Sequence, residues 1–261
     1  MSEQKFYTGF IPTPPETRAK FRAAELPNIP ESDWVEINRR KFFHDLKWYP
    51  DQLQSSGCVG FSSAMSVSKA RAINGQPPIK LGGAYLYSLI NGGRDAGSNI
   101  GDALIALKKY GCAPEAVCDI HQDFDFIYRQ NTEQFDSVAS RFRGEFGFAV
   151  ETPEEAALVI LAGGILEFAV HVGRSFGNLD SEGVCRYVTG GGNHAVHADG
   201  LKFTNGSGWC VDMQTWTESF ADRSRALVPL ESLDNVGYQE MWGIFGVIDD
   251  PQDTHDPPVL V

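Results

Sequence analysis

A helical first half followed by an antiparallel second half predicts an α+β protein of two lobes with a cleft between them. Three observations carry this. The run Cys58–Ile73 contains no proline and is followed by two shorter helical segments. A capping box at Thr152-Pro153-Glu154-Glu155 opens the last helix, and apolar strands take over after it. Asn205-Gly206, between two of those strands, is a hairpin turn signal. With 261 residues, the chain is long enough for one large domain or two small lobes sharing a cleft.

Taken in order, residues 1–28 form an extended arm laid on the surface of the body, because Pro12, Pro14, Pro15 and Pro27 interrupt any helix. Trp34, Phe42, Phe43, Trp48 and Tyr49 mark a packed stretch with little periodicity. In the helix from Cys58, the residues Phe61, Met65, Ser68 and Ala72 fall on one stripe, and Ser55 or Ser56 is placed to cap it. A second helix covers 84–90 and ends at Asn91-Gly92-Gly93. Ser98 or Asn99 caps a third, which buries Ile100, Ala103, Leu104 and Leu107 and stops at Gly111. Residues 119–150 give no assignment. The capped helix at Thr152 ends at Gly163-Gly164. Strands follow at 165–172, 194–204, 209–215, 225–229 and 241–248, and 249–261 is an exposed tail.

The net charge of -12 argues against a nucleic-acid partner, which needs a basic patch. The first twenty residues carry no apolar signal segment, and no run reaches the eighteen or more apolar residues of a membrane span. The five cysteines are irregularly spaced, and Cys112 and Cys118 do not form a C-x-x-C pair, so no zinc site is expected. This pattern reads as mostly free thiols in a reducing compartment such as the cytoplasm, with a Cys185–Cys210 disulfide left open. The reading calls for no metal and no cofactor.

The chemistry begins at Cys58. A thiol at a helix N-terminus meets the positive end of the macrodipole, which favours thiolate. Gln52, six residues earlier, is placed to offer an amide N–H beside the sulfur. Nucleophile and oxyanion donor together are half of an acyl-transfer site; the competing reading is a buried structural cysteine. His194 starts a strand after the flexible Gly190-Gly191-Gly192 run. His197, three residues on, faces the other side, so the two do not share a metal. The hairpin brings Asp212 and Gln214, on one face, beside the His194 strand, where a side chain can fix the imidazole tautomer. Trp216 is placed to shield that bond. The competing reading there is an ordinary hairpin with polar residues on its wet face.

Gln52-x5-Cys58-x-x-Phe61-Ser62, then Gly97-Ser98-Asn99-Ile100, then Asn193-His194-Ala195-Val196, then Gln214-Thr215-Trp216 resembles the papain-like cysteine peptidases, in their bacterial and viral branches, over residues 28–248. Residues 29–34 are similar to the start of the family's mature domain. The resemblance implies Cys58 as nucleophile, His194 as general base and acid, Gln52 as oxyanion donor, Gln214 in place of the histidine-orienting asparagine, and Trp216 as shield. It implies Gly97, Ser98 and Asn99 as the wall that pairs with the substrate backbone. The sequence departs from the pattern at Val59 (usually Trp), Gln214 (usually Asn), Thr217 (usually Gly) and Ser55, where the family has a disulfide cysteine. Asp212 is the substitute orienter if the register slips by two. Only some 28 residues precede the domain, fewer than an inhibitory pro-region, so an active peptidase would need another control. The expected partner is a polypeptide substrate or a protein. Peptide hydrolysis, an inactive papain-like component of an assembly, and an amidase or transamidase are the three functions in play.

Overall fold

The structure is a computed structural model and describes residues 8–21, 26–118, 135–143, 146–173, 176–185, 193–233, 240–245 and 248–249. The helices are α1 (Pro15–Arg18), α2 (Arg40–Asp45), α3 (Cys58–Ile73), α4 (Gly83–Ile90), α5 (Ile100–Lys109), α6 (Asp136–Ala139) and α7 (Pro153–Leu161). The strands are β1 (Phe142–Arg143), β2 (Phe146–Val150), β3 (Ile165–Val170), β4 (His194–Thr204), β5 (Gly208–Gln214), β6 (Arg225–Pro229), β7 (Met241–Phe245) and β8 (Ile248–Asp249). Six of the strands form one antiparallel sheet in the order β2-β7-β3-β4-β5-β6. This is the α+β, two-lobed arrangement expected, with α3 packed between the helices α4 and α5 and the strands β3 and β4.

Local signals set most boundaries. Thr152 and Glu155 close the expected capping box on α7. Asn99 caps α5 by accepting from the Asp102 N–H. β4 and β5 meet across the Asn205-Gly206 turn, with Thr204 opposite Gly208. α2 and β2 carried no assignment from sequence; β2 is held by its ladder to the distant β7. Asp249, expected in an exposed tail, pairs with Phe142; residues 250–261 lie outside the described residues, as do 119–134 and Gly190 to Gly192.

The expected one-sided stripe on α3 is corrected by the structure. Every residue from Cys58 to Arg71 is buried, because lobes close on the helix from all sides. Its small polar residues therefore need internal partners. Ser66 and Ser68 bond back to the carbonyls of Ser62 and Ala64, and Ser68 also accepts from Leu81 N–H. Ser63 donates to the buried Glu167 of β3 at 2.8 Å. Further along, Lys69 is bonded to both Asp199 and Gln214. Arg225 of β6 forks onto Asp199 at 2.7 and 2.9 Å, and Arg40 of α2 forks onto Asp212 at 2.7 and 2.9 Å. Burial alone would raise the Asp199 carboxyl, but Arg225 and Lys69 hold it well below the usual carboxylate range.

Glu167 is the opposite case. Burial lifts its carboxyl from 4.5 to about 8 against the bond from Ser63. A folded-state value above the unfolded one gives stability that is complete below 4.5 and is lost as pH rises towards 8. The stability difference between wild type and Glu167→Gln should therefore shift by about 3 kcal/mol in favour of the variant from pH 4.5 to pH 7. Urea unfolding of both proteins across that range checks this; parallel curves would contradict it.

Candidate active site

Cys58 is the first residue of α3, and Gly57, rather than Ser55 or Ser56, is the N-cap. The preceding loop bonds to itself instead: the Gln52 amide donates to Ser55 O at 2.7 Å, and Ser55 Oγ donates to Gln52 O at 2.7 Å. Gln52 is thus fixed in the turn that leads to the sulfur. Backbone groups of Ala195, Gly9 and Val59 hydrogen-bond the sulfur, and each favours the thiolate. Burial outweighs them and pushes the Cys58 thiol up to about 12. The thiolate expected from the helix end is corrected for this closed state: the helix dipole is a smaller effect than full desolvation.

His194 opens β4, and the backbone of the next residue, Ala195, bonds the sulfur. The imidazole Nε2 lies 2.7 Å from Thr215 Oγ1. Nδ1 is buried and has no hydrogen-bond partner among the described residues. Trp216 stacks on the ring at 4.4 Å and 25°. Burial pushes the imidazole down to about 3, so it is neutral.

Gln214, expected to orient His194, does not reach it. Its amide lies between Lys69 and the Trp48 carbonyl, to which it donates at 2.9 Å. The reason is a β-bulge. From Thr204 opposite Gly208 the ladder runs regularly to Gly200 opposite Asp212, then shifts so that Ala198 faces Met213 and His197 faces Gln214. An unshifted ladder would place Gln214 opposite Ala198, on the face of His194. One extra residue, Asp199, reverses the faces and hands the contact to Thr215. Asp212 is occupied by Arg40 and Arg225, so it is no substitute orienter. His197 points away from His194, as expected, towards Gln214 and the charge layer.

The cleft is filled by the chain's own arm, which was expected on the surface. Ile11 N–H donates to Ser98 O at 2.8 Å, and Ser98 N–H donates to Gly9 O at 2.9 Å. On the other wall, the N–H groups of Gly9 and Phe10 both approach Asn193 O at 3.2 Å. Gly9 sits so close to the loop before Cys58 that a Cβ on it would lie 1.9 Å from Ser56 O. Phe10 is buried in the cluster that contains Cys58, Tyr87 and Ile100. Two anchors follow: Thr13 N–H donates to Glu240 while its hydroxyl accepts from Gly101 N–H at 3.1 Å, and Arg18 donates to Val150 O at 2.9 Å and covers the Trp242 ring. Of the expected wall, Ser98 pairs with the arm, Asn99 caps α5 and Gly97 donates to Tyr87 Oη.

A scan against protein-family models and a search of curated proteins find no match. Solved structures do match. Xylellain, a cysteine protease from Xylella fastidiosa, superposes with a TM-score of 0.64 at 17% identity, covering 93% of this chain and 92% of its own. The clostridial cysteine protease Cwp84 gives 0.66 at 15%, covering 82% and 58%. Bromelain from Ananas comosus gives 0.62 at 15%, covering 84% and 100%. The chain has the papain-like fold. Within that papain-like frame, sequence reading missed Thr215 and the arm. Strand alternation from His197 would have found Thr215 had the bulge been visible; nothing in the periodicity of the arm marks it as a cleft ligand. Among the described residues no cluster of His, Cys, Asp and Glu is placed to hold a metal, and no helix is long and apolar enough to cross a membrane.

A neutral imidazole whose Nε2–H donates to Thr215 leaves Nδ1 as the basic nitrogen. Because burial lowers its pKa to about 3, His194 should stay neutral from pH 7 down to about 4. Nitrogen-15 spectra of labelled histidine read this directly; an imidazolium signal for His194 at pH 6 would contradict it.

Proposed function

We propose that the chain is a cysteine peptidase held closed by its own N-terminal arm. The observation that carries this reading is the arm itself. The cleft binds an extended polypeptide backbone through both walls, at Ser98 and Asn193, directly over Cys58. A site that seats a peptide against a thiol and a histidine supports acyl transfer to that thiol.

In the open form, His194 Nδ1 takes the Cys58 proton as the sulfur attacks a peptide carbonyl carbon. Gln52 and the Cys58 backbone N–H donate to the oxyanion, each worth on the order of 3 kcal/mol. The imidazolium returns its proton to the leaving amine, and the amine departs from the acyl-enzyme. Water then attacks the thioester with His194 as base. Thr215 holds Nε2–H throughout, and Trp216 excludes water from that bond. The arm escapes this chemistry because Gly9 presents a backbone donor to the sulfur, while its carbonyl is bonded to Ser98.

A second reading, an inactive papain-like component of an assembly, is favoured by the neutral, fully buried state of Cys58 and His194. Opening the cleft separates the two. Gly9→Ala places a methyl against backbone at Ser56 that no side-chain rotation relieves. It should expel the arm and speed Cys58 labelling by a peptidyl vinyl sulfone roughly tenfold or more, equivalent to about 1.4 kcal/mol of lost arm binding. Cys58→Ala and His194→Ala in that background should abolish the gain. If Cys58 in the opened protein reacts no faster than Cys112 or Cys210, the peptidase reading fails and the assembly component stands.

A further inference from the structure

Two loops beside Cys58 are hydrogen-bonded to each other. One, residues 52–57, carries Gln52 and leads into Cys58; the other, 91–98, ends in the Ser98 wall. All five cysteines are free, so no disulfide joins these loops. They are joined instead through Asp95 and Tyr87. Asp95 Oδ1 accepts from Ser56 N–H at 2.7 Å and from Tyr87 Oη–H at 2.7 Å. Tyr87 Oη in turn accepts from Gly97 N–H at 3.1 Å. The Tyr87 side chain is fully buried against the first turns of α3, where a Cβ on Gly60 would come within 2.7 Å of Tyr87 Cβ. A phenol with one donor and one acceptor, on a helix, therefore sets the separation of the two loops.

We infer that Tyr87 and Asp95 are positioning residues, which fix the distance between the Cys58 loop and the Ser98 wall and so align a bound peptide backbone with the sulfur. Neither touches the reacting atoms. Their effect passes through Ser56 and Gly97 to the backbone groups that grip the peptide. The arm reports this directly, because Ile11 N–H is bonded to Ser98 O at 2.8 Å. For its catalytic consequence, the inference rests on the peptidase reading; for the wall spacing it does not. Losing the Tyr87 hydroxyl strands the buried Gly97 N–H, and losing the Asp95 carboxylate frees Ser56. Asn at 95 keeps an oxygen that accepts from both Ser56 and Tyr87, so it is the conservative rescue.

The test uses the full chain in two steps. Hydrogen exchange at Ile11 N–H should quicken roughly tenfold or more in Tyr87→Phe and Asp95→Ala. It should stay near wild type in Asp95→Asn, while core amides of β4 remain protected in all three. In the Gly9→Ala background, Tyr87→Phe and Asp95→Ala should then slow labelling by the peptidyl vinyl sulfone by a similar factor, yet leave alkylation by the small reagent iodoacetamide unchanged. Unchanged Ile11 exchange in Tyr87→Phe and Asp95→Ala overturns the inference, as does equal acceleration of the β4 amides, which marks a general loss of structure. If the Gly9→Ala parent shows no labelling at Cys58, the peptidase reading falls, and Ile11 exchange alone decides the wall spacing.

Discussion

Between Ala198 and Gly200 the ladder joining β4 to β5 gains one residue, and both the charge layer and the candidate site depend on that shift. The extra residue, Asp199, is fully buried and bonded to Arg225 and Lys69. Its carboxylate gathers two cations from α3 and β6 at one point beneath the cleft. Removing either kind of partner would leave a buried charge uncompensated, a cost of about 3–5 kcal/mol. The bulge is therefore held by electrostatics rather than by the strand's own preference. Because it reverses the side-chain alternation beyond it, Gln214 joins the charge layer and Thr215 meets His194. The position of the histidine's partner is thus a consequence of where Lys69 and Arg225 place their charges.

The second constraint is burial of Cys58. Beneath the arm, Cys58 and His194 are both desolvated, and burial drives their pKa values apart in the direction that keeps both neutral, the thiol to about 12 and the imidazole to about 3. A thiolate–imidazolium pair would need water or further donors in place of the arm. Closure of the cleft and neutrality of the thiol have one physical cause. Gly9, Phe10 and Ile11 provide that closure, with Thr13 and Arg18 as anchors behind them.

Much of this was legible in the sequence where the signals are local. The bounds of α3 follow from the absence of proline over sixteen residues, α7 from a capping box, and the β4–β5 hairpin from Asn205-Gly206. Cys58 and His194 stood out as candidates at the start of a helix and of a strand, and the family resemblance is what joined them into one site. What was not legible depends on contacts between distant segments. The α3 stripe was too narrow because the serines that look solvent-facing are satisfied inside the protein, for instance Ser63 on Glu167. Gln214 was misassigned because alternation was counted through a bulge that only Lys69 and Arg225 explain. The arm has no period to read, since an extended segment lying between two walls takes its hydrogen bonds from them and not from itself.

Replacing an amide by the Thr215 hydroxyl has a chemical consequence. An asparagine carbonyl only accepts, so it enforces Nε2–H; a threonine hydroxyl can donate or accept and so permits either tautomer on its own. The choice then falls to the other groups around Thr215 and the ring. Thr215 is braced from the backbone: its N–H donates to Ser224 O, and its carbonyl accepts from Ser224 Oγ at 2.6 Å. Trp216 is pinned at a positive φ of 51° and lies flat on the imidazole. Position is therefore secured by Ser224 and Trp216, while the tautomer is set by burial: Nδ1 has no hydrogen-bond partner among the described residues, and the Nε2–H form spares the protein a buried N–H donor left unpaired there.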